Sequence, residues 1–349
     1  MIALLLTLLL QDDPVKLTDD LAAKSVKPDG PGAAVLVMKD GKVLHKKGYG
    51  LANLEHKAPV TADSVFDLAS LSKQFTAMAV MLLADRGTLA FEDDARKLLP
   101  ELPEHDKARP IRIVDLLHQV SGLPDYLNLL DQWKGDPDRM KNDDVLKLVA
   151  AQKLAFPTGT KWAYSNSNYC LLALVVERAS KKTFAQFLRA EIFEPLGMKS
   201  SLVLDDATIV IPNRAYGYGR EKGRWAHHHS DLVMTGDGAV QTSIEDWTRW
   251  EGELREPKLV KPETLQRAFA PGALDGGKAH SYGFGWSVGT VNERRVIEHS
   301  GGWVGYTCHV ARYPDDGLAV VVLTNCDRGL DPTRMARQIA KAWLAKKEY

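Results

Sequence analysis

The stretch Asp67-Leu68-Ala69-Ser70-Leu71-Ser72-Lys73-Gln74-Phe75 decides how the chain reads. From Leu71 the apolar positions Leu71, Phe75, Met78, Ala79, Leu82 and Leu83 recur at helical spacing. They predict a buried helix that stops at Arg86-Gly87. On that helix Ser70 and Lys73 share a face, whereas Ser72 and Lys73 do not. Ser70 falls at the helix N-terminus, where backbone N–H groups have no intrahelical partner. A serine hydroxyl is a weak nucleophile until a base takes its proton, and a lysine one turn away is such a base when its amine is neutral. The S-x-x-K pattern therefore carries a mechanism. A helix start followed by an exposed lysine has the same letters, so the rest of the chain must decide.

On the N-terminal side, residues 12–30 are polar and predict an entry helix and loop. Residues 33–38 and 42–48 flank Lys39-Asp40-Gly41, the signature of a β-hairpin. Helices are predicted over 113–120, 143–152, 170–179 and 184–193, and over 243–254 behind the cap Ser243. Residues 200–240 are glycine-rich and read as loops over the site. Strands return over 282–288, 295–298, 306–313 and 318–325, with a turn at Pro314-Asp315-Asp316-Gly317. An amphipathic helix over 333–346 follows. The N-terminal strands have no partners nearby, so they are expected to join the C-terminal meander. The expected fold is α+β: an antiparallel sheet of N- and C-terminal strands, flanked by helices, with an inserted, mostly helical region over roughly 75–250. Residues 12–349 would form one domain, with a site between the sheet edge and the helical region.

Among 349 residues, Lys+Arg and Asp+Glu number 45 each. A net charge of zero offers no general basic surface for nucleic acid and no acidic excess for disorder. The apolar run over residues 1–10 is too short to span a membrane and resembles the core of a secretory signal. It predicts a signal segment over 1–11 and a periplasmic or secreted protein without a transmembrane span. No Lys or Arg precedes the run, however, and no A-x-A site follows it. Three cysteines, Cys170, Cys308 and Cys326, make no disulfide framework. Cys170 leads an apolar run and reads as core. If Tyr313 faces Leu318 across its turn, Cys308 faces Leu323 rather than Cys326. His227-His228-His229 are consecutive, which rarely aims three side chains at one ion. No metal and no cofactor is expected. No G-x-S-x-G elbow or phosphate loop is present.

Two further stretches bear chemistry. Tyr164-Ser165-Asn166 is a Y-x-N triplet, as is Tyr126-Leu127-Asn128. A phenol can pass a proton between a serine and a leaving group, and an amide can hold a substrate carbonyl. His299-Ser300-Gly301-Gly302-Trp303 follows the strand predicted over 295–298. Its glycines would let a substrate lie against a strand edge, where a backbone N–H could join that of Ser70 as an oxyanion hole.

Taken in order, Ser70-x-x-Lys73, Ser121-Gly122-Leu123-Pro124, residues 156–166, Gly236-Asp237-Gly238 and His299-Ser300-Gly301-Gly302 resemble the serine β-lactamase and penicillin-binding-protein family. The fit is to the branch holding class C β-lactamases, D-alanyl-D-alanine carboxypeptidases and family VIII esterases. The resemblance implies Ser70 as nucleophile and Lys73 and Tyr164 as general base and acid. It implies Asn166, His299, Ser300 and Gly301 as substrate contacts, and the N–H groups of Ser70 and Gly302 as oxyanion hole. Tyr126 follows the Ser-Gly-Leu-Pro turn, a different landmark, so the catalytic role goes to Tyr164. The implied activity is ester or amide cleavage of a small molecule or peptide through an acyl-enzyme. A class C-like β-lactamase, or a penicillin- or peptide-binding protein without turnover, is the alternative. Two departures stand out: His299 replaces the lysine of K-T-G, and Gln119 stands where a histidine often precedes the Ser-Gly-Leu turn. With an ordinary histidine pKa of about 6.5, His299 would favour uncharged esters at neutral pH and admit anionic substrates better as pH falls.

Overall fold

The computed structural model describes residues 13–106, 109–135, 140–230 and 232–345. The expected signal segment lies outside the described residues. Six strands form one antiparallel sheet: β1 (Ala33–Lys39), β2 (Lys42–Tyr49), β3 (Ser287–Val291), β4 (Arg294–Trp303), β5 (Tyr306–Tyr313) and β6 (Leu318–Thr324), in the order β3-β4-β5-β6-β1-β2. The N-terminal hairpin thus completes the C-terminal meander, as the unpartnered strands require. Asp40 and Gly41 both take positive φ, 51° and 76°, the twist that a two-residue hairpin turn needs. Tyr313 faces Leu318 and Cys308 faces Leu323. All three cysteines are free and buried.

Alternation along β1 sorts its side chains onto two faces. Ala33, Val35 and Val37 pack with Val320 and Val322 of β6 beneath α1 (Pro14–Ser25) and the last helix, Pro332–Leu344. Trp343 Nε1 donates to Thr18 Oγ1 at 3.0 Å, tying those two helices together. Ala34, Leu36 and Met38 face the other way and belong to a core shared with the helical region. Three helices of that region position the site: α2 (Lys73–Asp85), α3 (Asn166–Ser180) and α4 (Ile244–Arg255). Every residue of α2 from Lys73 to Leu83 is buried, which marks it as a central helix rather than a surface one. Phe75 of α2 stacks on Trp250 of α4 at 4.2 Å. Arg312 of β5 forms a buried two-pronged ion pair with Glu251 of α4, joining sheet to helices.

Three expectations need correction. The strand expected over 282–288 starts at Ser287. Residues 200–240 carry a hairpin (Tyr218–Glu221 with Arg224–His227) and part of a small sheet joining Leu202–Val203, Val240–Thr242 and Phe66–Asp67. The His299-Ser300-Gly301-Gly302 segment does not follow its strand but belongs to it, because β4 runs on to Trp303 against β5. Glycine disfavours strands by propensity, and the close packing of Gly301 on the Leu68 carbonyl overrides that preference.

Candidate active site

Ser70 lies in a single 3₁₀ turn, Ala69–Ser72, that feeds straight into α2. Ala69 sits at φ 46°, a left-handed conformation that costs energy for a residue with a Cβ. Asp67 Oδ1 holds it there by accepting the Ala69 N–H at 2.7 Å, and Gln241 Nε2 donates to the other carboxylate oxygen at 2.8 Å. Strand β4 presses on this turn. A Cβ at Gly301 would lie 2.2 Å from Leu68 O, so only glycine fits.

Lys73 Nζ is surrounded by three oxygens: Ser70 Oγ at 3.0 Å, Asn166 Oδ1 at 2.9 Å and the Asp237 carbonyl at 2.7 Å. Each partner is itself fixed. Asp125 Oδ2 accepts from both the backbone N–H and Nδ2 of Asn166, at 3.1 and 3.0 Å. Gln119, itself at φ 64°, accepts from Ser165 N–H and Asn168 Nδ2. Ser121 Oγ donates to Asn168 Oδ1 at 2.6 Å. The Ser-Gly-Leu-Pro turn is thereby fastened along the start of α3. The Asp237 turn is held to α2 by Thr76 Oγ1, which donates to Gly236 O at 2.7 Å, and by Ser72 Oγ, which accepts from Val240 N–H.

Tyr164 is 36 % exposed, and its ring centre lies 5.0 Å from Lys73 Nζ and 6.1 Å from the His299 ring. His299 is buried, with Nε2 3.0 Å from Tyr282 Oη and Nδ1 2.7 Å from the Ser300 carbonyl. Burial, reinforced by the charge of Lys73, pushes its pKa down to about 3. The expected pH-dependent gain for anionic substrates is therefore corrected: His299 stays neutral throughout the working range, and both its nitrogens are engaged within the protein. Ser300 faces the opposite side of β4. Its Oγ lies 2.8 Å from His309 Nδ1 and 3.2 Å from Thr333 Oγ1 on the last helix.

A cavity of about 110 Å³ joins Ser70, Asn166 and Gly302 with Tyr126 and Asp237, under a largely apolar wall of Leu127, Leu204, Leu232, Met234 and Trp303. Tyr164, His299, Ser300 and Gly301 are not among its lining residues. Sequence reasoning gave Asp125, Asp237 and Tyr282 no role. The one local signal was Asp125 at the start of the 3₁₀ turn Tyr126–Gln132, where it caps Leu127 N–H. Among the described residues no group of three or more His, Cys, Asp or Glu is arranged to hold a metal ion. No described helix is long and apolar enough to cross a membrane.

A sheet of terminal strands, an inserted helical region, and a serine paired with a buried lysine at their junction define a serine hydrolase of the penicillin-binding-protein fold. The Beta-lactamase family model matches residues 18–343, and the chain belongs to that family. Penicillin-binding protein 4* of Bacillus subtilis (strain 168) is 31% identical over 325 residues, 88% of this chain and 70% of that protein. The D-aminopeptidase of Gluconobacter oxydans (strain 621H) is 30% identical over 305 residues. That match takes in 85% of this chain but only 56% of the longer relative. The crystal structure of a penicillin binding protein from Bacillus halodurans superposes with a TM-score of 0.79 at 26% identity, covering 95% of this chain and 99% of that one.

Proposed function

We propose that this hydrolase cleaves small uncharged esters or amides, D-aminoacyl amides and peptides among them, through an acyl-enzyme on Ser70. The observation that carries this reading is the set of three oxygens around Lys73 Nζ. A neutral amine has two N–H bonds and one lone pair. With the N–H bonds given to Asn166 Oδ1 and the Asp237 carbonyl, the lone pair is left for the Ser70 hydroxyl. Lys73 then takes the Ser70 proton as Oγ bonds to the substrate carbonyl carbon. The N–H groups of Ser70 and Gly302 receive the oxyanion. When the bond to the leaving group breaks, that group takes a proton through Lys73 or Tyr164. Water, losing its proton to the same pair, adds to the acyl carbon, and Ser70 recovers its proton as the acid departs. Asn166 acts here by orienting Lys73, since both polar ends of its amide are occupied. His299 orients Tyr282 and contributes hydrogen bonding without charge, so a substrate carboxylate gains no Coulomb attraction from it.

Steady-state assays with chromogenic esters, D-alanyl amides and nitrocefin test the reading. Sustained turnover is expected, fastest on neutral esters or amides. A single stoichiometric burst would make the chain a binding protein, and nitrocefin as best substrate would make it a β-lactamase.

A further inference from the structure

Gly236-Asp237-Gly238 presents its carbonyl to Lys73, but the side chain of Asp237 has no part in the chemistry above. That side chain is a carboxyl placed beside a lysine that must become charged. Its Oδ1 accepts from Cys170 Sγ and its Oδ2 from Tyr126 Oη, each at 3.1 Å. Both donors are neutral and buried, so Lys73 is the neighbour that favours the carboxylate by charge once it holds a proton. The position is rigid. Gly236, at φ 96°, passes so close to α3 that a Cβ would lie 2.3 Å from Tyr169 O, and Thr76 and Ser72 of the nucleophile segment hold the turn from the other side.

We propose that the Asp237 carboxylate is a positioning residue that acts through Lys73, stabilising the ammonium formed when Lys73 takes the Ser70 proton. The proposal rests on the Ser70–Lys73 reading and deepens it. In the step concerned the Ser70 O–H bond breaks and an N–H bond forms on Lys73, so a unit positive charge appears in a buried site. Asn166 Oδ1 and the Asp237 carbonyl offer only dipoles to that charge, whereas the carboxylate, on the same residue whose carbonyl meets Nζ at 2.7 Å, offers an opposite charge. The proton stays on Lys73; burial pushes the Asp237 pKa up, and the charge gained by Lys73, then the hydrogen bonds from Cys170 and Tyr126, push it the other way. The other groups around this pair are Asp125 in the turn before Tyr126, Tyr169 on α3, Tyr164 in the loop before it and His299 on β4. Asp125 adds negative charge, the tyrosines are hydrogen-bonding groups, and His299 is neutral.

The test is the pH dependence of kcat/KM on an uncharged ester. Asp237→Asn keeps the shape and removes the charge. Lys73 should then release its proton more readily and pull it from Ser70 less strongly. The expected result is a plateau lowered about tenfold, with the acid limb moved about one unit to lower pH. Asp237→Ala and Asp237→Gly, checked by thermal melting, should move the limb alike and serve where the amide perturbs folding. A folded variant whose acid limb superimposes on the parent's overturns the proposal, whatever happens to the plateau. Loss of packing alone would lower rates without moving the limb. Full turnover by Ser70→Ala would instead sink the underlying Ser70–Lys73 reading. An inactive Ser70→Ala beside an unmoved Asp237→Asn limb sinks this proposal alone.

Discussion

Tyr126-Leu127-Asn128 and Tyr164-Ser165-Asn166 share a motif and nothing else. Tyr126 is 2 % exposed, its hydroxyl is given to Asp237, and burial pushes its pKa well above the ordinary phenol range. Asn128 is exposed on a 3₁₀ turn. Tyr164 is open to solvent with its ring against Lys73, and Asn166 delivers its amide oxygen to the same lysine. The distinction comes from the element each triplet leads into. The second runs into α3, whose first turn Asp125 and Gln119 pin beside α2. A buried phenol whose hydroxyl is committed to a carboxylate serves the frame, and one facing both solvent and a lysine can carry a proton.

Substitutions on the two sides of this comparison should differ by at least about tenfold in rate. Lys73→Ala, which removes the proposed base common to both, should cost about 10³- to 10⁴-fold in kcat/KM on a neutral ester. A loss of tenfold or less would show that another group takes the serine proton. Tyr164→Phe should lower kcat by about 10²-fold with little change in melting temperature. Tyr126→Phe should reverse that pattern, with at most about a tenfold rate loss and a stability loss of about 1–3 kcal/mol from a buried carboxylate left short of a donor. Equal kinetic losses in the two phenylalanine variants would erase the distinction.

The last prediction concerns the buried histidines, and its effect is on stability rather than rate. Burial holds His299 at about 3 and His118 at about 4, both below the ordinary value of about 6.5. At pH 5 both are neutral when folded and take up protons on unfolding. The unfolded chain binds more protons, so stability falls as pH drops from about 6.5 towards 4, by up to about 1.4 kcal/mol per unit for each. Urea titrations at pH 7.5 and 5.0 should show this loss, and His299→Gln should remove one histidine's share. An unchanged pH dependence would mean that His299 is charged in the fold.

Local signals made much of this legible. Asp40-Gly41 between two strand-like stretches signalled a hairpin, and the apolar spacing from Leu71 to Leu83 signalled a buried helix. Orphan strands at both ends of the chain implied their union. What stayed hidden depends on contacts distant in sequence. Nothing near Gly301 announces that Leu68 O will press against it, so the stretch from His299 to Gly302 read as following its strand rather than belonging to it. Ser300 and His299 alternate across a strand, so they could not both face the substrate once β4 extended that far. Asp237 is informative only beside Cys170 and Tyr126, residues 67 and 111 positions away.

The central claim is a covalent acyl group on Ser70, and intact-mass spectrometry after exposure to a slowly hydrolysed ester or β-lactam tests it most directly. The account predicts one adduct, mapped by peptide digestion to the segment holding Ser70 and absent in Ser70→Ala. An adduct that persists in Ser70→Ala, at Ser72, Ser165, Ser300 or elsewhere, would contradict it.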